Sequence, residues 1–129
     1  MNSEELYPCP ICGYLVFDEA PGSFSCCPIC YWEDDIVQLN FPEAHGANGK
    51  HSLITYQLDY LRPETQRELI EKWHRRKPGP QDVQDAGWRL FDPKVDKFLR
   101  WSSEEDRKRV IPDNACLYYW RPDYWLRKV

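Results

Sequence analysis

The first 49 residues of this 129-residue chain contain no lysine and no arginine. They hold eight acidic residues (Glu4, Glu5, Asp18, Glu19, Glu33, Asp34, Asp35 and Glu43) for a formal charge of −8, whereas residues 50–129 carry all 17 basic residues and come to +4. Nucleic-acid affinity draws largely on basic side chains that neutralise phosphates, so the amino-terminal stretch is poorly suited to a phosphate backbone. No apolar run approaches the roughly 18 residues that a membrane span needs. The start, Met1-Asn2-Ser3-Glu4-Glu5, has neither the basic residues nor the apolar core of a secretion signal. These absences predict a cytoplasmic protein, in a compartment where disulfides are uncommon. No Ser/His/Asp set, phosphate-cradling loop or open metal site is visible, which predicts a protein that is not an enzyme.

What the chain does have is one tetrapeptide written twice. Cys9-Pro10-Ile11-Cys12 recurs as Cys27-Pro28-Ile29-Cys30, with 14 residues between the copies. Two C-x-x-C pairs at this separation are the spacing of a four-cysteine zinc site. Two intervening residues let one tight turn aim both sulfurs at one ion, and proline presets the turn's φ. Gly13 follows the first pair, where a left-handed backbone is often needed, but Tyr31 follows the second, so the two turns are expected to differ. A redox pair would sit at the start of a helix and would not explain the second copy. Cys9, Cys12, Cys27 and Cys30 are therefore the expected ligands of one structural Zn2+. Cys26 adjoins Cys27 and could compete for the metal, but only Cys27 completes the repeated turn. Cys26 is expected to be a small buried residue on a strand, and Cys116 a packing residue.

Between the pairs, Tyr14-Leu15-Val16-Phe17 and Phe24-Ser25-Cys26 read as short strands joined by turn residues, giving a zinc-ribbon-like hairpin. Trp32-Glu33-Asp34-Asp35 reads as an exposed acidic loop with Trp32 packed on the zinc turns. His45 and His51 flank a loop, and four cysteines already complete a closed site.

From Ser52 the texture is helical. Ser52 caps a segment through Leu61, and Pro63 opens a helix that ends in His74-Arg75-Arg76-Lys77. A third helix is predicted from Asp92 and Pro93, with Val95, Phe98, Leu99 and Trp101 on its apolar face. A short fourth begins near Ser102. The aromatic tail, residues 117–126, reads as a β-prone strand broken by Pro122. Aromatics at 15% supply enough apolar surface for a core. The expected fold is α+β: a zinc-ribbon-like module over residues 1–51, joined to a mainly helical part over residues 52–129 with an aromatic carboxyl-terminal strand.

Tyr7-Pro8-Cys9-Pro10-Ile11-Cys12-Gly13-Tyr14, then Cys27 to Asp35, Gln38-Leu39 and Gly46-Ala47-Asn48-Gly49 together resemble the bacterial cysteine-rich CPCC family. These are small cytosolic proteins or domains, mostly without assigned activity. The resemblance covers residues 6–53. The family's first turn usually reads C-P-C-C, and Ile11 stands in place of its third residue here, which supports Cys9 and Cys12 as the metal pair. Some members look like immunity proteins of toxin–immunity systems.

Small size, an acidic module and the lack of a catalytic set agree with that implication. The expected function is a non-enzymatic zinc-stabilised protein that binds a basic toxin domain, with Trp32, Glu33, Asp34 and Asp35 as first contacts. The same charges would equally solvate a small module. The alternative is a nucleic-acid-binding or regulatory protein using Arg75, Arg76, Lys77, Arg107, Lys108, Arg109 and the aromatic tail.

Overall fold

Each C-P-I-C sits on a closed turn held by its own backbone. In the computed structural model, which describes residues 5–128, the Cys9 N–H donates to the Tyr14 carbonyl (2.9 Å) and the Gly13 N–H returns to that of Cys9 (2.7 Å). Residues 1–4, on which the reading of the chain's start rests, lie outside the described residues. The second turn repeats the pattern: Cys27 N–H to Trp32 O (2.8 Å) and Tyr31 N–H to Cys27 O (3.0 Å). Gly13 (φ 81°) and Tyr31 (φ 70°) are both left-handed. The two turns thus share one backbone form, contrary to the expectation drawn from Tyr31. A left-handed tyrosine costs about 1–2 kcal/mol. Partly offsetting that cost, its ring centroid lies 5.9 Å from that of Trp73, and the Arg75 guanidinium lies 4.5 Å from the Tyr31 ring centre.

The predicted hairpin between the two pairs does not form. Strand β1 (Tyr7–Pro8) pairs antiparallel with β2 (Leu15–Phe17), around the first turn rather than across to residues 24–26. Residues 24–26 instead close on residues 32–34, through a Cys26–Glu33 bridge and bonds between Phe24 and Asp34 and between Asp34 and Ser25. The module is therefore a pair of knuckles, each at the tip of its own small ribbon. The left-handed Phe24 (φ 60°) interrupts the second predicted strand.

Local signals mark the start of each helix, including α1, which the sequence reading does not predict. Asp35 caps α1 (Ile36–Asn40), Ser52 and Thr55 form a capping box on α2 (Leu53–Tyr60), Pro63 opens α3 (Pro63–Glu71), and Ser103 caps α4 (Glu104–Arg107). The basic run at 74–77 lies beyond α3 rather than on it. The left-handed His74 (φ 56°) turns the chain back, so that Arg75 N–H reaches Leu69 O and Arg76 N–H reaches Pro28 O on the second knuckle.

The helix predicted from Asp92 is only a turn. Asp92 caps that turn, its carboxylate taking the Lys94 N–H (2.9 Å) while the Asp96 carboxylate takes the Asp92 N–H (2.7 Å), and the Asp96 N–H reaches Asp92 O (2.8 Å), but no helix continues beyond it. Val95 is consequently exposed. The aromatic tail forms no strand; it holds the short 3-10 turns Asn114–Cys116 and Trp125–Lys128. Leu117, Tyr118, Tyr119 and Trp120 are all buried in succession, which a strand with one wet face cannot achieve.

The buried residues form one cluster, running from Cys9 through Trp32 and Leu53 to Leu126. No helix among the described residues is long and apolar enough to cross a membrane. Trp88 packs directly on the first knuckle: a Cβ at Gly13 would lie 2.6 Å from the Trp88 ring. Gly13→Ala therefore meets both a positive φ and a clash, and it should lower folding stability by about 2 kcal/mol or more in chemical denaturation. Stability within error of wild type would contradict this packing.

Candidate metal centre

The twin knuckles bring four sulfurs to one point. Cys9 Sγ lies 3.5 Å from Cys30 Sγ, Cys12 Sγ lies 3.7 Å from Cys27 Sγ, and all four sulfurs lie within 4.8 Å of one another. A zinc ion about 2.3 Å from each ligand sets tetrahedral sulfurs about 3.8 Å apart, so the spacing suits zinc. Each knuckle contributes two ligands, and each ligand of one knuckle lies against one of the other. All four cysteines are buried.

The electrostatics also ask for a cation. Burial pushes the Cys9 and Cys30 thiols well above the ordinary thiol range. Burial acts on Cys27 in the same direction, but hydrogen bonds from Cys12, Cys30 and Cys9, and from the Cys30 N–H, outweigh it and carry Cys27 far below that range. The Ile29 and Cys30 N–H groups approach Cys27 Sγ at 3.4 and 3.5 Å, as donors suited to a thiolate. Thiols this deeply buried ionise together only if a cation compensates them, and a divalent ion with four thiolates is the closed donor set of structural zinc. The ion would supply cross-linking and leave no open position for chemistry.

Residues from the rest of the chain hold the outward carbonyls of both knuckles. Gln57 Nε2 and Trp88 Nε1 each donate to Pro10 O at 2.9 Å, and Gln84 Nε2 donates to Cys12 O at 3.0 Å. On the other knuckle the Tyr56 hydroxyl donates to Cys30 O at 2.8 Å. Burial, then the charge of the nearby cysteines, pushes the Tyr56 phenol far up and keeps it a donor. Gln57 also bonds the Tyr119 hydroxyl and accepts from Phe91 N–H, so one buried amide ties the metal knuckle to the tail. None of these supporting residues was foreseen. A signal existed for Gln57: it stands four residues after Leu53 on the buried face of α2, where an amide needs partners.

The acidic string is not the exposed loop expected. Trp32, Asp34 and Asp35 are buried, with Trp32 edge-on to Tyr56 at 5.0 Å. Asp34 accepts from the Ser23 N–H and hydroxyl; burial raises its carboxyl and those bonds only partly oppose the rise. Asp35 accepts from Val37 N–H (2.8 Å) and Ala47 N–H (2.9 Å). Asn48 pairs with both backbone groups of Glu33 and with Gln38, whose amide reaches Ala44 O and His51 O. A Cβ at Gly46 would lie 2.4 Å from the Asp35 carboxylate. The W-E-D-D and G-A-N-G segments are thus two halves of one polar lock.

Cys26 is exposed, not buried as expected, and lies outside the sulfur cluster. Among the described residues that cluster is the only candidate metal-binding group of the metal-ligating side chains. His51 turns to Thr55, and His45 is exposed.

Metal analysis should find one zinc per chain, and Cys9→Ser or Cys30→Ser should abolish stoichiometric zinc and unfold at least the knuckles; full folding without bound metal would contradict the assignment. In the polar lock, Asp35→Ala should cost about 1–3 kcal/mol through the lost cap and an orphaned amide, against less than about 0.5 kcal/mol for Glu33→Ala. Equal effects in thermal denaturation would place the acidic string outside the fold's support.

No curated protein matches the chain. A family model described as cysteine-rich CPCC matches residues 7–78, past residue 53 and through α2, α3 and the return of Arg76 to the second knuckle. Ile11, where the resemblance expects a cysteine, is fully buried in the core beside the ligands. With paired C-x-x-C knuckles converging on one buried point and the family model spanning more than half its length, the chain belongs to the cysteine-rich CPCC family.

Proposed function

We propose that this is a non-enzymatic, zinc-stabilised protein-binding protein, acting as an immunity protein that neutralises a cognate toxin by covering its active site. The observation that carries the reading is the charge of the first 49 residues, which hold no basic side chain and a formal −8. A buried Zn2+ with four thiolates adds a net −2 to the same module. Of its carboxylates that stay at the surface, Asp18, Glu19 and in part Glu33 would steer a basic partner into contact and mimic the phosphates that a nucleic-acid-cutting toxin would grip.

The burial of Trp32, Asp34 and Asp35 moves the contact surface. Of the four residues first expected to meet the partner, only Glu33 keeps partial exposure, and Asp18 and Glu19 are exposed nearby in sequence. The proposed contact set is therefore Asp18, Glu19 and Glu33, with the metal centre setting the shape beneath them.

The nucleic-acid reading loses much of its surface. Most of the tail rings that would stack on bases are core residues, and Arg76 is paired with Asp82.

The test is whether a neighbouring reading frame encodes a toxin domain and whether this protein binds it. Binding should be faster at low salt, and the double variant Asp18→Lys/Glu19→Lys should slow association about ten-fold or more while leaving zinc content unchanged. No binding to that domain, or an association rate indifferent to both salt and the variant, would reject the reading.

A further inference from the structure

We infer that the carboxyl-terminal half carries a binding groove for a small molecule that bears more than one phosphate, independent of the protein-binding function proposed above. Two cavities of about 340 and 370 Å³ meet at Asp96 and Lys97, which line both. Their walls present five cations, Arg89, Lys97, Arg100, Arg109 and Arg127, and a single carboxylate, Asp96. No metal-centre cysteine lines either cavity.

The way these cations are held matters more than their number. Asp96 is already engaged: its oxygens take the Arg89 guanidinium and the Asp92 N–H, and its charge is felt in part by Arg127. Arg127 is fixed by backbone carbonyls, donating to Tyr119 O (2.6 Å) and Arg121 O (3.1 Å), which position the guanidinium without neutralising it. Arg109 lies 5.0 Å from the centre of the Trp125 ring. Arg100 lies 4.7 Å from that of Phe98 and meets Glu43 only at an exposed 3.3 Å contact. A ring and two carbonyls thus hold the Arg109 and Arg127 guanidinium groups in place without an ion pair among the described residues, while Arg100 shares its charge with Glu43 at the surface. Groups held in advance lose less entropy when a ligand arrives.

The chemistry of the occupant follows from the lining. Several guanidinium groups around one groove match an anion with multiple oxygens and more than one charge, which is phosphate rather than a lone carboxylate. Tyr119 and Tyr124 line the first cavity but are buried, so recognition rests on the charge of the anion. The volumes lie within the range of about 300–1,000 Å³ that holds small molecules.

Calorimetric and amide-NMR titrations of the zinc-loaded full chain should separate the sources of phosphate: inorganic pyrophosphate, ATP, and a short single-stranded oligonucleotide. ATP should bind saturably at one per chain, more tightly than pyrophosphate, with shifts at Tyr119, Tyr124 and Arg127. Arg109→Gln should weaken ATP about ten-fold, with partial recovery in Arg109→Lys, while Arg75→Gln at the second knuckle leaves affinity unchanged. An unchanged thermal midpoint in Arg109→Gln will show that the loss is one of binding; should that variant be unstable, Arg100→Gln at the exposed rim gives the same reading. Absence of ATP binding at low salt, affinity indifferent to Arg109→Gln and Arg100→Gln together, or binding of the oligonucleotide alone would overturn the inference.

Discussion

The rest of the structure depends on four sulfurs meeting at one buried point. Without that meeting the amino-terminal part has little to hold it: two strands of two and three residues, a five-residue helix and three ribbon contacts. Elements that short do not persist in water through their own hydrogen bonds. A four-thiolate zinc site contributes on the order of 10–16 kcal/mol, comparable with the whole stability of a small domain. Metal binding therefore dominates the local energetics. It also sets where the knuckle carbonyls point, and Gln57, Trp88, Gln84 and Tyr56 bond to those carbonyls from the rest of the chain.

Around this centre the polar groups are consumed by the fold to an unusual degree. Asp34, Asp35, Gln38 and Gln57 are buried, and every one has specific partners. The strings that make the family recognisable are the ones locked together: Glu33 with Asn48, Asp35 with Ala47, and Gln38 with the loop between. These motifs report how the module holds its shape. The binding roles proposed above accordingly rest on what the motifs leave exposed, namely acidic side chains of the amino-terminal module and guanidinium groups of the carboxyl-terminal half.

The metal ligands were legible because their geometry is local: two residues between cysteines fix a turn whatever the remainder does. The caps Asp35, Ser52, Pro63 and Ser103 mark helix starts, and at Ser52, Pro63 and Ser103 they could be read from the same kind of local rule. Strand pairing was not legible, since residues 14–17 have the same β-prone texture whether they pair backward with Tyr7 or forward with Phe24. The third helix goes no further than the turn that Asp92 caps; apolar periodicity does not register which of its positions the core covers, and Leu99 is buried but Val95 is exposed. The tail failed because consecutive buried rings look like a strand to propensity, while in the fold they fill the core from successive turns. Burial of Asp34 and Asp35 was hidden for a related reason: three adjacent carboxylates imply solvent unless the distant amides of Ser23 and Ala47 are known to face them.

The central claim is that one metal position stabilises both the knuckles and, through their carbonyls, the carboxyl-terminal core. Amide hydrogen exchange followed during graded zinc chelation tests it most directly. The account predicts that protection in the knuckle ribbons and in residues 117–126 disappears together, at one chelator concentration. Retained protection in residues 117–126 after the knuckles have opened would show that the carboxyl-terminal core stands without the metal, and would contradict it.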